Sequence, residues 1–234
     1  MQDVPPDHEA ADKAAIDPRK RNRKRGQRLT PAELAALPPG PAPEAGTLRN
    51  AALAHLARYS ATEVGLVRVL DRRIQRWASR AATFGDPPDR VAELAASARL
   101  AARTVAKSLV ASGVVDDAAY AEARARSLTR SGRSRRVIGA HLAQRGIDSD
   151  LAAASLPDDA DTELAAALTQ ARKRRIGPFA VPDVPSDDPL AEARSRNRAL
   201  GALARAGFSR DVAERALSME REEADRLILH LKRL

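Results

Sequence analysis

One phrase, present three times, constrains this chain more than any other feature. It reads leucine, three residues, glycine, an apolar residue, then a polar cluster. The copies are Leu109-Val110-Ala111-Ser112-Gly113-Val114-Val115-Asp116-Asp117, Leu142-Ala143-Gln144-Arg145-Gly146-Ile147-Asp148-Ser149-Asp150 and Leu203-Ala204-Arg205-Ala206-Gly207-Phe208-Ser209-Arg210-Asp211. Glycine takes the left-handed conformation just past a helix C-terminus without steric cost, and Asp or Ser accepts the orphan N–H groups of the next helix. Each phrase therefore closes one helix and opens another, so Gly113, Gly146 and Gly207 are expected as structural caps. Asp116 and Asp117 are expected to cap the helix that follows the first copy. A recurring turn of this kind predicts an array of small helical units.

The array is not a regular solenoid. The first two glycines are 33 residues apart and the last two 61. Three-helix units in which different helix pairs carry the same turn account for this, with a Pro-rich insert lengthening the last unit.

Composition agrees with an all-α chain. Of 234 residues 44% are hydrophobic but only 3% aromatic, and most of the apolar content is Ala, Leu and Val. Ala and Leu are strong helix formers, and no stretch alternates apolar with polar residues long enough for a sheet. Forty Lys+Arg against 31 Asp+Glu leave a net charge of +9, which favours a polyanionic or acidic partner. Cysteine is absent, which excludes disulfides and thiolate metal sites. No apolar run approaches the roughly 20 residues that cross a bilayer, and the start lacks the apolar core of a secretory signal. A cytoplasmic protein without a membrane partner is the expectation.

Residues 1–45 read as a disordered basic and Pro-rich extension. It contains Arg19-Lys20-Arg21-Asn22-Arg23-Lys24-Arg25 and one short candidate helix at Thr30–Leu34. The ordered part is expected from Leu48, with Leu53, Leu56 and Ala57 on one face of a first helix. Ser60 and Glu63 have capping-box spacing ahead of a second helix, whose stripe is Val64, Val67, Leu70, Ile74 and Trp77. A third helix follows from about 89 to 112, with Leu94, Ala98, Ala101, Val105 and Leu109 on one side. Further helices are expected at about 116–131, 134–145, 148–156, 161–175, 190–206 and 209–234, the last broken near Met219. Trp77, Tyr120 and Phe208 are expected to anchor the small cores.

Arginine carries the functional signal. Arg68, Arg72, Arg76 and Arg80 recur every four residues along one flank of the second helix. Arg124, Arg126, Arg130, Arg133, Arg135 and Arg136 bracket the turn at Ser131-Gly132, and Arg172–Arg175 and Arg194, Arg196 and Arg198 follow. The planar guanidinium fork suits phosphate and carboxylate, so such stripes track a nucleic-acid backbone or an acidic protein groove. No nucleophile–base set, metal-ligand spacing or phosphate-cradling glycine loop is present, so neither catalysis nor a cofactor or metal is expected.

The segment Gly113-Val114-Val115-Asp116-Asp117-Ala118-Ala119-Tyr120-Ala121 resembles the Gly-apolar-apolar-Asp-Asp-x-x-aromatic-Ala segment of the RecX family of recombination regulators. Ser60-x-x-Glu63 before an Arg-bearing helix resembles the first unit of that family. Arg126–Gly132 and Leu142-x-x-x-Gly146-Ile147 resemble the middle unit, and Arg205-x-Gly207-Phe208-Ser209 the last. The likeness covers about residues 48–218 in order.

The resemblance implies tandem three-helix units in an elongated array, expected here at 48–112, 113–158 and 159–234, the last with a Pro-rich insert at about 177–189. It also implies a non-enzymatic regulator, a monomer that lies along the RecA–single-stranded DNA filament and inhibits the recombinase, its ATPase and its coprotease function in DNA repair and SOS control. Contact residues would come from Arg68, Arg72, Arg76, Arg124, Arg126, Arg130, Arg133, Arg135 and Arg136. A stand-alone helix-turn-helix DNA binder is the alternative, but Leu151-Ala152-Ala153-Ala154 after the Gly146 turn is too apolar to read bases.

Overall fold

A computed structural model describes residues 37–180 and 189–233. These form ten α-helices and one 3-10 turn, with no strand among the described residues. The helices are α1 (Ala45–Leu56), α2 (Glu63–Thr83), α3 (Pro88–Ala111), α4 (Asp117–Arg130), α5 (Arg135–Gln144), α6 (Ser149–Ser155), α7 (Ala160–Arg174), α8 (Pro189–Arg205), α9 (Arg210–Ser218) and α10 (Arg221–Leu231). The Arg19–Arg25 block and the candidate helix at Thr30–Leu34 lie outside the described residues. The chain divides after Pro38, and all ten helices belong to the unit from Pro39 onward.

All three leucine–glycine phrases form the same turn. Gly113, Gly146 and Gly207 have φ of +70°, +83° and +91°. In each, the residue after glycine donates its N–H back to the leucine carbonyl: Val114 to Leu109 at 2.9 Å, Ile147 to Leu142 at 3.1 Å and Phe208 to Leu203 at 3.2 Å. That bond satisfies a carbonyl the helix leaves orphaned, and it brings the two apolar side chains together. Leu142 and Leu203 are fully buried with Ile147 and Phe208. The first copy differs, because Val114 is exposed and Val115 is the residue that enters the core.

The apolar interior falls into three clusters. The first joins Leu48 and Ala52 of α1 to Leu66, Leu70 and Ile74 of α2 and to the alanine-rich face of α3. The second joins Ala121 and Ala125 of α4 to Ile138 and Leu142 of α5 and Ala152 of α6. The third surrounds α7, whose Leu164, Ala165, Ala166, Ala167, Leu168 and Ala171 are buried against α8, α9, α10 and Phe179. Alanine at these positions lets helix axes approach closely and costs little conformational entropy.

Several expected faces are rotated. In α1 the buried pair is Leu48 and Ala52, one turn apart and facing α3; Leu53 is exposed and Ala57 lies past the helix end. In α2 the stripe is Leu66, Leu70, Ile74 and Ala81, with Val67 and Trp77 only partly covered and Val64 at the rim. In α3 the expected Ala98, Val105 and Leu109 are buried, joined by Val91, Ala95 and Ala102, whereas Leu94 is not. Over the first half of α3 the close approach of α2 leaves room for alanine inside and puts Leu94 at the edge, while Val105 and Leu109 fill the core toward the helix end.

The cap of α2 also differs from the expected Ser60–Glu63 box. Ser60 is exposed, and the N-cap is Thr62, whose Oγ1 accepts from the Gly65 N–H at 2.9 Å. Glu63 is the first helical residue. Thr62 wins because its hydroxyl is buried and has a second partner in the carbonyl of Arg145. Before α1, the indole Nε1 of Trp77 donates to the carbonyl of Gly40 at 2.9 Å, so chain ahead of the expected start at Leu48 is already held to α2. Within the Pro-rich insert, Gly177–Phe179 forms the 3-10 turn and buries Phe179 beneath the guanidinium groups of Arg172 and Arg221. Residues 181–188 are outside the described residues. The last helical stretch breaks at Met219 and Glu220.

Candidate partner-binding surface

The clusters are joined by a polar contact that is built twice. In the first joint, the Thr62 hydroxyl donates to the carbonyl of Arg145 at 2.7 Å. The neighbouring Glu63 N–H donates to Asp117 Oδ1 at 2.9 Å. In the second joint, the Ser134 hydroxyl donates to the carbonyl of Ala206 at 2.9 Å, and the Arg135 N–H donates to the Glu163 carboxylate at 3.1 Å. Thr62 and Ser134 are the N-caps of α2 and α5, each also accepting from its own helix. Arg145 and Ala206 directly precede the glycines of the second and third phrases. An N-cap hydroxyl of one cluster thus seats on the leucine–glycine turn of the next.

Glycine is required there for space as well as conformation. A Cβ on Gly146 would overlap the Val64 side chain, and one on Gly207 would overlap the Ser134 hydroxyl. Gly113, which starts α4 rather than a joint, has nothing within 4 Å of that position. Asp116 caps α4 by accepting from the Ala119 N–H, whereas the Asp117 carboxylate serves the N-terminus of α2. Two adjacent carboxylates therefore satisfy two different helices.

The joints take up some of the arginines that spacing alone assigns to the surface. Arg68 Nη1 donates to the Gln144 carbonyl at 2.7 Å, bracing the end of α5. Arg135 pairs with Asp158 at 2.9 Å. Arg124 Nε donates to the His141 Nε2 lone pair at 3.1 Å. His141 lies below the ordinary imidazole range, first because burial disfavours its cation and then because Arg124, Arg145 and Arg133 repel it. Burial pushes Glu163 up, opposed by the Arg135 N–H and guanidinium. The Ser131-Gly132 turn that the arginines bracket is not a free tip: Gly132 is buried on α7 and Lys173 Nζ donates to the Ser131 carbonyl at 2.8 Å.

The remaining arginines face outward. Arg72 and Arg76 are exposed on α2, linked only by the Arg76 Nε bond to the Arg72 carbonyl at 3.3 Å. Arg130, Arg133 and Arg136 are exposed at the α4–α5 corner, and none pairs with a carboxylate among the described residues. Arg126 is exposed and pairs loosely with Glu122 at 3.5 Å. Sequence reasoning missed a further strip on α3, Arg99, Arg103 and Lys107, although its four-residue spacing was visible. Arg99 there binds Asp71 and Gln75 of α2, while Arg103 and Lys107 stay exposed. Trp77 and Tyr120 are partly buried and Phe208 is buried, so these three form no ladder for stacking bases.

Other chemistries find no support among the described residues. No three His, Asp or Glu side chains gather as a metal site requires, and no helix is long and apolar enough to cross a membrane. Clusters of helices joined through polar N-cap contacts, with exposed arginines on their outer faces, define an all-α helical array.

A family profile described as "RecX, second three-helix domain" matches residues 116–156, the span of α4 to α6. The regulatory protein RecX of Myxococcus xanthus is 40% identical over 172 residues, covering 73% of this chain and 83% of that protein. Its counterpart from Agrobacterium fabrum is 35% identical over 114 residues, 49% of this chain and 57% of that one. The crystal structure of RecX from Lactobacillus salivarius aligns with a TM-score of 0.44 at 17% identity, over 81% of this chain and 97% of that one. The chain belongs to the RecX family of regulatory proteins.

Proposed function

We propose that this chain is a non-enzymatic regulator that lies as a monomer along a RecA–single-stranded DNA filament and restrains the recombinase. The observation that carries the reading is the run of unpaired, outward arginines on successive units: Arg72 and Arg76 on α2, then Arg130, Arg133 and Arg136 at the α4–α5 corner. Weak contacts repeated along a linked array reinforce one another through effective concentration, so tight filament binding needs no single strong pocket. Guanidinium groups serve both phosphates of filament DNA and carboxylates of recombinase protomers. The stand-alone helix-turn-helix alternative is weakened by α6, which spans seven residues and turns Ala152 inward.

The test is RecA ATP hydrolysis on single-stranded DNA with this protein titrated well below one molecule per recombinase. Strong inhibition at that ratio is the expected result. Inhibition only at saturating amounts, with measurable binding to free DNA, would overturn filament regulation in favour of simple DNA masking.

A further inference from the structure

The two joints share their hydrogen bonds but not their packing. At the second, the turn before the cap presses directly on the next cluster: a Cβ on Gly132 would lie 2.9 Å from Thr169 Cγ2 and 3.1 Å from the Ala166 carbonyl oxygen. Helix α4 also packs along α7. At the first joint no helix of the first cluster packs broadly on a helix of the second. Instead a groove of about 530 Å³ opens there, with Leu56, Ser60 and Ala61 on one side and Tyr120, Ala123 and Ser127 on the other.

These residues correspond position by position. Ser60 stands two before its cap residue Thr62, as Gly132 stands two before Ser134. Ala123 stands six after Asp117, as Thr169 stands six after Glu163. The groove therefore occupies the place where the second joint is shut. What holds the first joint, Thr62 on Arg145, Glu63 on Asp117, Arg68 on Gln144 and Val64 against Gly146, involves hydrogen bonds and one small apolar contact. Such contacts tolerate rotation better than interlocked helices do.

The geometry points to a hinge at the first joint: the α1–α3 unit swings against a body formed by α4–α10, closing the groove so that Ser60 meets α4 near Ala123 as Gly132 meets α7 near Thr169. The second joint does not move. Closure changes the separation between the Arg72–Arg76 strip and the Arg130–Arg136 corner. The hinge belongs to the free chain and stands whether or not a recombinase is the partner.

The natural absence of cysteine makes a clean test. Nitroxide labels at Ser79→Cys with Ala154→Cys span the first joint; labels at Ala154→Cys with Glu222→Cys span the second. All three native residues are exposed. Electron–electron distance measurements should give a broad or two-peaked distribution across the first joint and a single narrow one across the second. Equal widths, or the broader one across the second joint, would overturn the hinge. The direction of motion is read separately from S60C/A123C under mild oxidation. A disulfide needs Cα atoms within about 7 Å, so near-complete cross-linking marks closure into the groove. A broad first-joint distribution without cross-linking would overturn the closing direction.

Discussion

The hydroxyl of Thr62 reaches the carbonyl oxygen of Arg145 across 83 residues of sequence, at 2.7 Å. The same atom accepts the Gly65 N–H, so one buried oxygen caps α2 and seats it on the next unit. Ser134 does the same for α5 and Ala206. Stability and the arrangement of units are therefore coupled through two hydroxyl groups.

Replacing Thr62 by valine keeps the shape and removes both bonds. The lost cap costs about 1 kcal/mol, and the unpaired Arg145 carbonyl adds about 1–3 kcal/mol. The Thr62→Ser variant should retain most of that stability. Urea unfolding of the two variants checks it; equal midpoints would remove the hydroxyl from the account.

Gly146 and Gly113 share a positive φ but not a neighbour. Alanine at Gly113 should cost only the left-handed strain, about 1 kcal/mol. Alanine at Gly146 must also displace Val64, and should destabilise clearly more. Thermal unfolding of the two single variants measures the difference, and similar losses would count against the close approach at the first joint.

His141 makes the fold sensitive to acid. Its folded-state pKa lies below 6.5, so below that pH the unfolded chain binds more protons than the folded one. The stability this group contributes is present above 6.5 and is lost as pH falls beneath it. His141→Gln keeps a side-chain acceptor for Arg124 and should flatten the dependence. Unfolding midpoints at about pH 8 and about pH 5.5 for both proteins provide the check, the expected result being a larger drop for the parent chain.

Charge reversal at Arg130, Arg133 and Arg136 should abolish inhibition of RecA ATP hydrolysis while leaving helical circular dichroism unchanged, since none of the three holds a carboxylate among the described residues. Reversal at Arg135 instead breaks the Asp158 pair. That pair is solvent-exposed and worth only about 0–1 kcal/mol, but reversal also sets a like charge near the half-buried Glu163, so stability should fall where the triple variant's does not. Full inhibition by the triple variant would exclude the α4–α5 corner from the contact surface.

Much was legible locally. Helix ends followed from Leu-x-x-x-Gly turns and their Asp and Ser caps, because a chain reversal past a helix depends on conformational freedom and hydrogen-bond inventory within about six residues. The helical class followed from the Ala- and Leu-rich composition, and the expected break near Met219 is present. Which face of each helix is inside followed only in part: Leu70, Ile74, Ala98, Val105 and Leu109 are buried as expected, whereas Leu53, Val64 and Leu94 are not. Alanine-rich helices offer weakly contrasting faces, and the choice of Ala95 and Ala102 over Leu94 in α3 was made by how closely α2 could approach.

The roles of polar residues depended still more on tertiary structure. Spacing placed Arg68 beside Arg72 and Arg76, yet only the packing of α5 gave Arg68 a partner in the Gln144 carbonyl. Spacing paired Ser60 with Glu63, whereas the cap fell to Thr62 because Arg145 offered it a second partner. Sequence by itself determined a chain of short capped helices with a basic surface. The tertiary structure decided how those helices stack and which arginines stay free, because both depend on partners 28 to 83 residues away that no local signal can specify.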